Sequence, residues 1–308
     1  MSAGVCRMEW EGSRRSDNIE DLRGSGGGGG GGFGMPVGGG GLGIGAIIVL
    51  ALIGYATGID PRVLIGGAET VVNHGQTYSG RPTTQQQARN TPQGAPKDQM
   101  GDFVAAVLGE TEDVWSDVLP KQKNIQYESP RLVLYSGMTR SGCGQAQSAM
   151  GPFYCPTDRK VYLDIAFFND MRRRLGGGGD FAYAYVIAHE VGHHVQNLLG
   201  ILPKVHEAQE QSDQQQANAL SVKLELQADC FAGVWAANAD QKWHILEQGD
   251  VDKAVNTAEA IGDDRLQESS RGYAVPDSFT HGSSAQRKQW LTTGLKSGKI
   301  DSCNTFAR

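Results

Sequence analysis

Basic charge is scarce in this sequence and nowhere concentrated: 28 Lys and Arg stand against 34 Asp and Glu in 308 residues, giving a net charge of −6. Such a chain lacks the electrostatic footprint of a nucleic-acid binder, so DNA and RNA are excluded as partners. The one short cationic run, Arg172-Arg173-Arg174, reads as a solvated helix face. Cysteine is sparse as well. There are five, with no C-x-x-C spacing, which argues against a cysteine-based zinc site. Cys6 stands apart near the N-terminus, whereas Cys143, Cys155, Cys230 and Cys303 form an even late set and are disulfide candidates. Cys143 and Cys155 bracket a short loop, but four cysteines allow three pairings.

Charge is missing altogether from Met35 to Ile59. Within that gap Leu42–Ile59 (LGIGAIIVLALIGYATGI) is apolar enough to span about 27 Å as a transmembrane helix. Arg7, Arg14, Arg15 and Arg23 precede it, so the positive-inside tendency puts the N-terminus in the cytoplasm and everything after Ile59 outside, where disulfides form. Of the 43 glycines, 15 lie between Gly24 and Gly45, a tract that cannot bury apolar surface. The expected organisation is a polar and Gly-rich cytoplasmic segment at 1–41, the span at 42–59, a Gln-, Thr- and Pro-rich linker at 60–101, and a globular domain at 102–308. With 39% hydrophobic and 20% charged residues overall, the chain has the material for a core.

Inside the domain, apolar spacing predicts a helix over Asp102–Leu119. The runs Arg131–Tyr135 (RLVLY) and Lys160–Phe167 (KVYLDIAF) predict strands flanking the Cys143–Cys155 loop. Asp180 opens a helix over Phe181–Leu199 that stops near Gly200 and Pro203, and a second long helical stretch covers Lys204–Ala239. Further helices are expected at Asp250–Ser269 and Ser284–Ser297. Strands first and helices later give an α+β class with a small antiparallel sheet.

The helix Phe181–Leu199 carries His189-Glu190-Val191-Gly192-His193, an H-E-x-x-H motif. Histidines four apart stand one turn above each other on one face, so both imidazoles can reach a single tetrahedral Zn²⁺. Glu190, roughly 100° around the helix, can serve a water beside the ion without ligating it. Small residues Ala188 and Gly192 leave room on that face for a partner helix. A catalytic zinc needs a third protein ligand and an open position. Glu225 in Glu225-Leu226-Gln227-Ala228-Asp229 is the best supplier, with Asp229 placed to accept the outer N–H of a ligating histidine. His194 reads as part of a buried polar cluster, and His74, His206 and His244 as surface residues.

These motifs, with Met8-Glu9-Trp10, Arg15–Asp21, Cys143-Gly144, Ala149–Pro156 and Ser278–Ser284, resemble the neutral zinc metallopeptidases, a family of single-span bacterial membrane proteins. The zinc core is also similar to that of the larger gluzincin group, which implies a zincin-like domain. In that group a downstream T-H-P segment, with an Arg six residues after the His, reaches the reacting carbonyl. Thr280-His281-Gly282 and Arg287 match in spacing, although Gly282 replaces the proline. The resemblance implies a single-pass protein of the bacterial inner membrane with a periplasmic catalytic domain acting on a peptide or protein substrate. Expected roles are Zn²⁺ on His189, His193 and Glu225, Glu190 as general base, and His281 and Arg287 as oxyanion stabilisers. Substrate would add as a strand along Lys160–Phe167. Two rival readings are a non-catalytic zinc-stabilised envelope scaffold and a zinc hydrolase acting on cell-wall amides.

Overall fold

The computed structural model describes residues 8–23, 96, 98–174 and 179–307, all of which fall in one compact unit. In chain order the described elements are β1 (Ile19–Asp21), α1 (Gln99–Lys123), β2 (Arg131–Tyr135), β3 (Met138–Ser141), β4 (Gly144–Gln147), β5 (Phe153–Cys155) and β6 (Lys160–Asp164). Helices follow: α2 (Ala166–Arg174), α3 (Asp180–Leu198), α4 (Ile201–Glu210), α5 (Gln214–Trp243), α6 (Asp250–Ala260), α7 (Asp263–Arg271) and α8 (Ser284–Ser297).

Four strands make one sheet in the order β1-β2-β6-β5, with β1, β2 and β6 parallel and only β5 antiparallel. Both central strands are covered on two faces, which suits their continuous apolar runs. Leu132, Leu134, Val161 and Leu163 enter the main core among the helices. Val133, Tyr135 and Tyr162 face the other way, packed with Ala146 and Cys155. The β3–β4 hairpin forms a separate two-stranded sheet. Disulfides join Cys143 to Cys155 and Cys230 to Cys303, one of the three pairings the sequence left open.

Several expectations are corrected. In place of the expected α+β class with a small antiparallel sheet, the described residues are mostly helical with small sheets, and the main sheet is mixed. The strand expected to reach Phe167 stops at Asp164, whose Oδ1 accepts the Ala166 backbone N–H at 2.9 Å and turns the chain into α2. Lys204–Ala239 is two helices, because Asp213 caps α5 by accepting the Gln216 N–H at 2.8 Å.

The membrane reading is also overturned. Among the described residues no helix is long and apolar enough to cross a membrane, and the expected span at 42–59 lies outside them. Residues 8–23, read as a cytoplasmic tail, belong to the same fold as helices α1 to α8. Met8, Trp10 and Ile19 are buried in the main core, and β1 pairs in register with β2, Ile19 opposite Leu132. One crossing between residues 23 and 98 would place hydrogen-bonded neighbours on opposite sides of a bilayer. The single-pass arrangement, with a cytoplasmic N-terminus and a periplasmic domain, therefore does not stand.

Candidate metal centre

Helix α3 is buried around most of its circumference, with Ile187, Val191 and Val195 in the main core. Its His189 and His193 face α5. The two helices approach closely where Gly192 meets Ala228: a Cβ on Gly192 would lie 3.1 Å from the Ala228 carbonyl oxygen. That approach brings Glu225, three residues before Ala228, over the histidine pair.

The His189 Nε2 lies 3.2 Å from Glu225 Oε2, and the His193 Nε2 lies 3.4 Å from Glu225 Oε1. Ligand atoms on one tetrahedral zinc, with bonds of about 2.0–2.2 Å, stand roughly 3.3–3.5 Å apart. One ligand atom from each of His189, His193 and Glu225 lies within 4.8 Å of the others, so the donor set fits such an ion with a fourth position free. All three side chains are largely shielded from solvent.

Electrostatics in the cluster follow from burial working against charge. Desolvation pushes His189 down, but the carboxylates of Asp229 and Glu225 outweigh it and carry the imidazole up to about 10. Glu225 is held well below the usual carboxylate range despite its burial, because both imidazoles face it. Glu190 is buried beside them and its pKa is raised, chiefly by desolvation, while the histidines and a hydrogen bond from the Tyr154 backbone hold it back.

Asp229 is fully buried and saturated with donors. Its Oδ1 accepts from His189 Nδ1 at 2.9 Å, from the Tyr185 hydroxyl at 2.6 Å and from an Arg287 NH₂ at 2.8 Å; its Oδ2 accepts from Arg287 Nε at 2.9 Å. Burial would raise this carboxyl, but Arg287 and His189 bring it down to about 2, so it accepts only. Asp229 therefore holds a proton on His189 Nδ1, which leaves Nε2, the ring atom facing Glu225, as the one that would ligate a metal on giving up its own proton.

A family model described as "Putative neutral zinc metallopeptidase" matches residues 8–306. The chain belongs to that family. It is 50% identical over 301 residues to "Uncharacterized protein YpfJ" of Escherichia coli (strain K12), covering 98% of this chain and 99% of that protein. It is 42% identical over 214 residues to "Uncharacterized protein Mb2605" of Mycobacterium bovis, covering 66% and 70%. No solved structure matches.

The remaining expected residues are placed differently from the His189, His193 and Glu225 cluster. Arg287, expected to face a reacting carbonyl, is buried and forms a two-pronged ion pair with Asp229, its NH₂ also 3.2 Å from the Tyr185 hydroxyl. His281 is half-exposed on a turn secured by Asp263, whose Oδ2 accepts the backbone N–H groups of Thr280, His281 and Gly282 at 2.7, 2.6 and 3.1 Å. Asp263 Oδ1 lies 3.3 Å from His281 Nδ1, and the charges of His281 and Glu225 act on each other. Gly282 has φ +90° and donates its N–H, two things a proline cannot do, so the departure from T-H-P is built into this turn. His194 turns away from the metal side: its Nε2 bonds the Glu128 carbonyl at 2.6 Å and its Nδ1 accepts from the Tyr154 hydroxyl at 3.0 Å. Burial holds it neutral, with its pKa down at about 4.

Tyr185, Asp263 and Gln196 were missed in the sequence. Tyr185 lies four residues before His189 on the same helix face, and Gln196 three after His193, so spacing offered a signal for both. Asp263 offered none, since its partners lie 17 to 19 residues away.

Proposed function

We propose that this protein is a zinc-dependent peptidase in which His189, His193 and Glu225 hold the ion and Glu190 moves the proton. The observation that supports this most is the convergence of both Nε2 atoms on the Glu225 carboxylate, with a second, unligated carboxyl buried alongside. Zinc bound there supplies Lewis acidity, bringing water towards ionisation near neutral pH and polarising a carbonyl.

Glu190 takes the proton from the attacking water and passes it to the leaving amine nitrogen, and its raised pKa suits both halves of that transfer. His281, on its Asp263-braced turn, donates to the carbonyl oxygen as charge develops there. Arg287 acts at one remove: it neutralises Asp229, which fixes the His189 ring.

The test is Glu190→Gln in the full chain, assayed for zinc content and for cleavage of a peptide library. The variant is expected to retain about one equivalent of zinc while turnover falls by at least 10²-fold, the lower end of what a general base contributes. Undiminished cleavage would remove Glu190 from the mechanism.

A further inference from the structure

The proton on His193 is placed by an amide rather than a carboxylate. Gln196, fully buried one turn further along α3, has its Oε1 2.9 Å from His193 Nδ1. Its orientation is fixed at the other end, where Nε2 lies 2.7 Å from the Leu224 carbonyl oxygen on α5. A carbonyl only accepts, so the NH₂ must face Leu224 and Oε1 must face the imidazole. Nδ1 therefore carries a hydrogen, and Nε2 is the ring atom that faces Glu225.

The same NH₂ donates to Gln227 Oε1 at 3.1 Å, and Gln227 Nε2 donates to the Cys303 carbonyl at 2.9 Å. Gln227 is buried as well, and Cys303 is tied by its disulfide to Cys230, three residues further along α5.

We propose that Gln196 and Gln227 form a buried amide relay, anchored on the Leu224 and Cys303 carbonyls, that locks His193 in its Nδ1–H tautomer and makes zinc capture depend on the C-terminal turn Ile300–Cys303. Neither amide touches the reacting atoms; both are positioning residues. Without them the imidazole can turn or carry its proton on Nε2, and binding must first reverse that. Replacing an outer partner of a ligating histidine commonly costs 10–100-fold in metal affinity. This inference rests on the zinc reading above.

Zinc dissociation constants of the full chain, of Gln196→Met and of Gln227→Met, read by competition with a chromophoric chelator, test it. Gln196→Met should weaken zinc by roughly 10–100-fold, and Gln227→Met by a smaller factor. The hydrogen-bonded Nδ1–H proton of His193, a downfield resonance in the zinc-loaded parent, should disappear in Gln196→Met, a change that lost packing alone does not produce. Unchanged affinity and a persisting resonance in folded Gln196→Met overturn the relay. Should that variant not fold, unchanged affinity in Gln227→Met overturns it instead. A parent chain that binds no zinc overturns the metal reading and the relay together, whereas a zinc-binding parent with unaffected variants overturns the relay alone.

Discussion

Asp229 accepts hydrogen bonds from three side chains at once, and neutralising it would strand the most strongly charged of them. In Asp229→Asn the buried Arg287 guanidinium keeps its charge but loses its counter-ion, a rupture that costs about 3–5 kcal/mol. The same change weakens the grip on His189 Nδ1, so zinc affinity should drop roughly 10–100-fold. Urea unfolding of the metal-free variant checks the first number and chelator competition the second; parent-like stability would mean that Arg287 finds another partner. The cluster of His189, His193 and Glu225, which could hold a metal ion, was legible in the sequence because its members lie on periodic elements: H-E-x-x-H and E-x-x-x-D both encode a single helix face. The partner of Arg287 was not, since its spacing from His281 carries no information about a carboxylate 58 residues earlier.

Helices α3 and α5 can share a metal only because Gly192 lets their backbones approach. A valine there must push the Ala228 turn outward, and Glu225, three residues earlier on α5, moves with it. Overpacking of this kind costs about 1–3 kcal/mol. The larger effect of Gly192→Val should appear in zinc affinity, which falls when one donor of three leaves its position; chelator competition at a temperature where the variant is still folded measures it. Equal zinc affinity in parent and variant would show that Glu225 does not depend on that approach. At this scale the sequence reading located helices well and their breaks poorly. The apolar stripe that placed α5 begins only at Leu220, and the Gln-rich run before it was carried along as helix, so the Asp213 cap was overlooked although an acid before a helical run is a start signal. Strands β3, β4 and β5 were hidden for a different reason: at three or four residues, with mixed burial, they give alternation too little length to register. Strand β5, not β6, is the edge of the sheet on this side, and its Tyr154 backbone bonds Glu190. β6 is paired by β2 along Lys160–Asp164 and by β5 at Lys160–Tyr162, so those three residues have both sides taken and are closed to an added substrate strand.

At the scale of the described unit, helices α1 and α3 are clasped by a segment that the sequence reading placed elsewhere. Arginines 14 and 15, weighed as topology signals, pair with acids of α1: Arg14 with Glu112 at 2.7 Å and Arg15 with Asp102 at 2.8 Å. Ser16 and Asn18 also donate to Glu112, while Trp10 Nε1 bonds Asp180 at the start of α3. Such a clasp is not periodic, and its register exists only once α1 is folded, so no local pattern announces it. One of its members gives the fold a pH dependence. Glu110 is buried, receives the Ser13 hydroxyl on Oε1, and among the described residues finds no partner for Oε2. Desolvation lifts its pKa from 4.5 to about 7, with Ser13 and Arg15 opposing. Between those two values the folded chain keeps a proton that the unfolded chain has released, so this group's contribution to stability declines as pH rises through the window and is fully lost above about 7. Below 4.5 both states are protonated and the contribution no longer changes. Glu110→Gln stays neutral throughout, so the parent should lose stability relative to the variant as pH is raised from 4.5 to 7, and the difference should then level off. Denaturant unfolding of both chains from pH 4 to 8 measures the gap; a gap that is constant with pH would place the Glu110 carboxyl in contact with water and unfasten this part of the clasp.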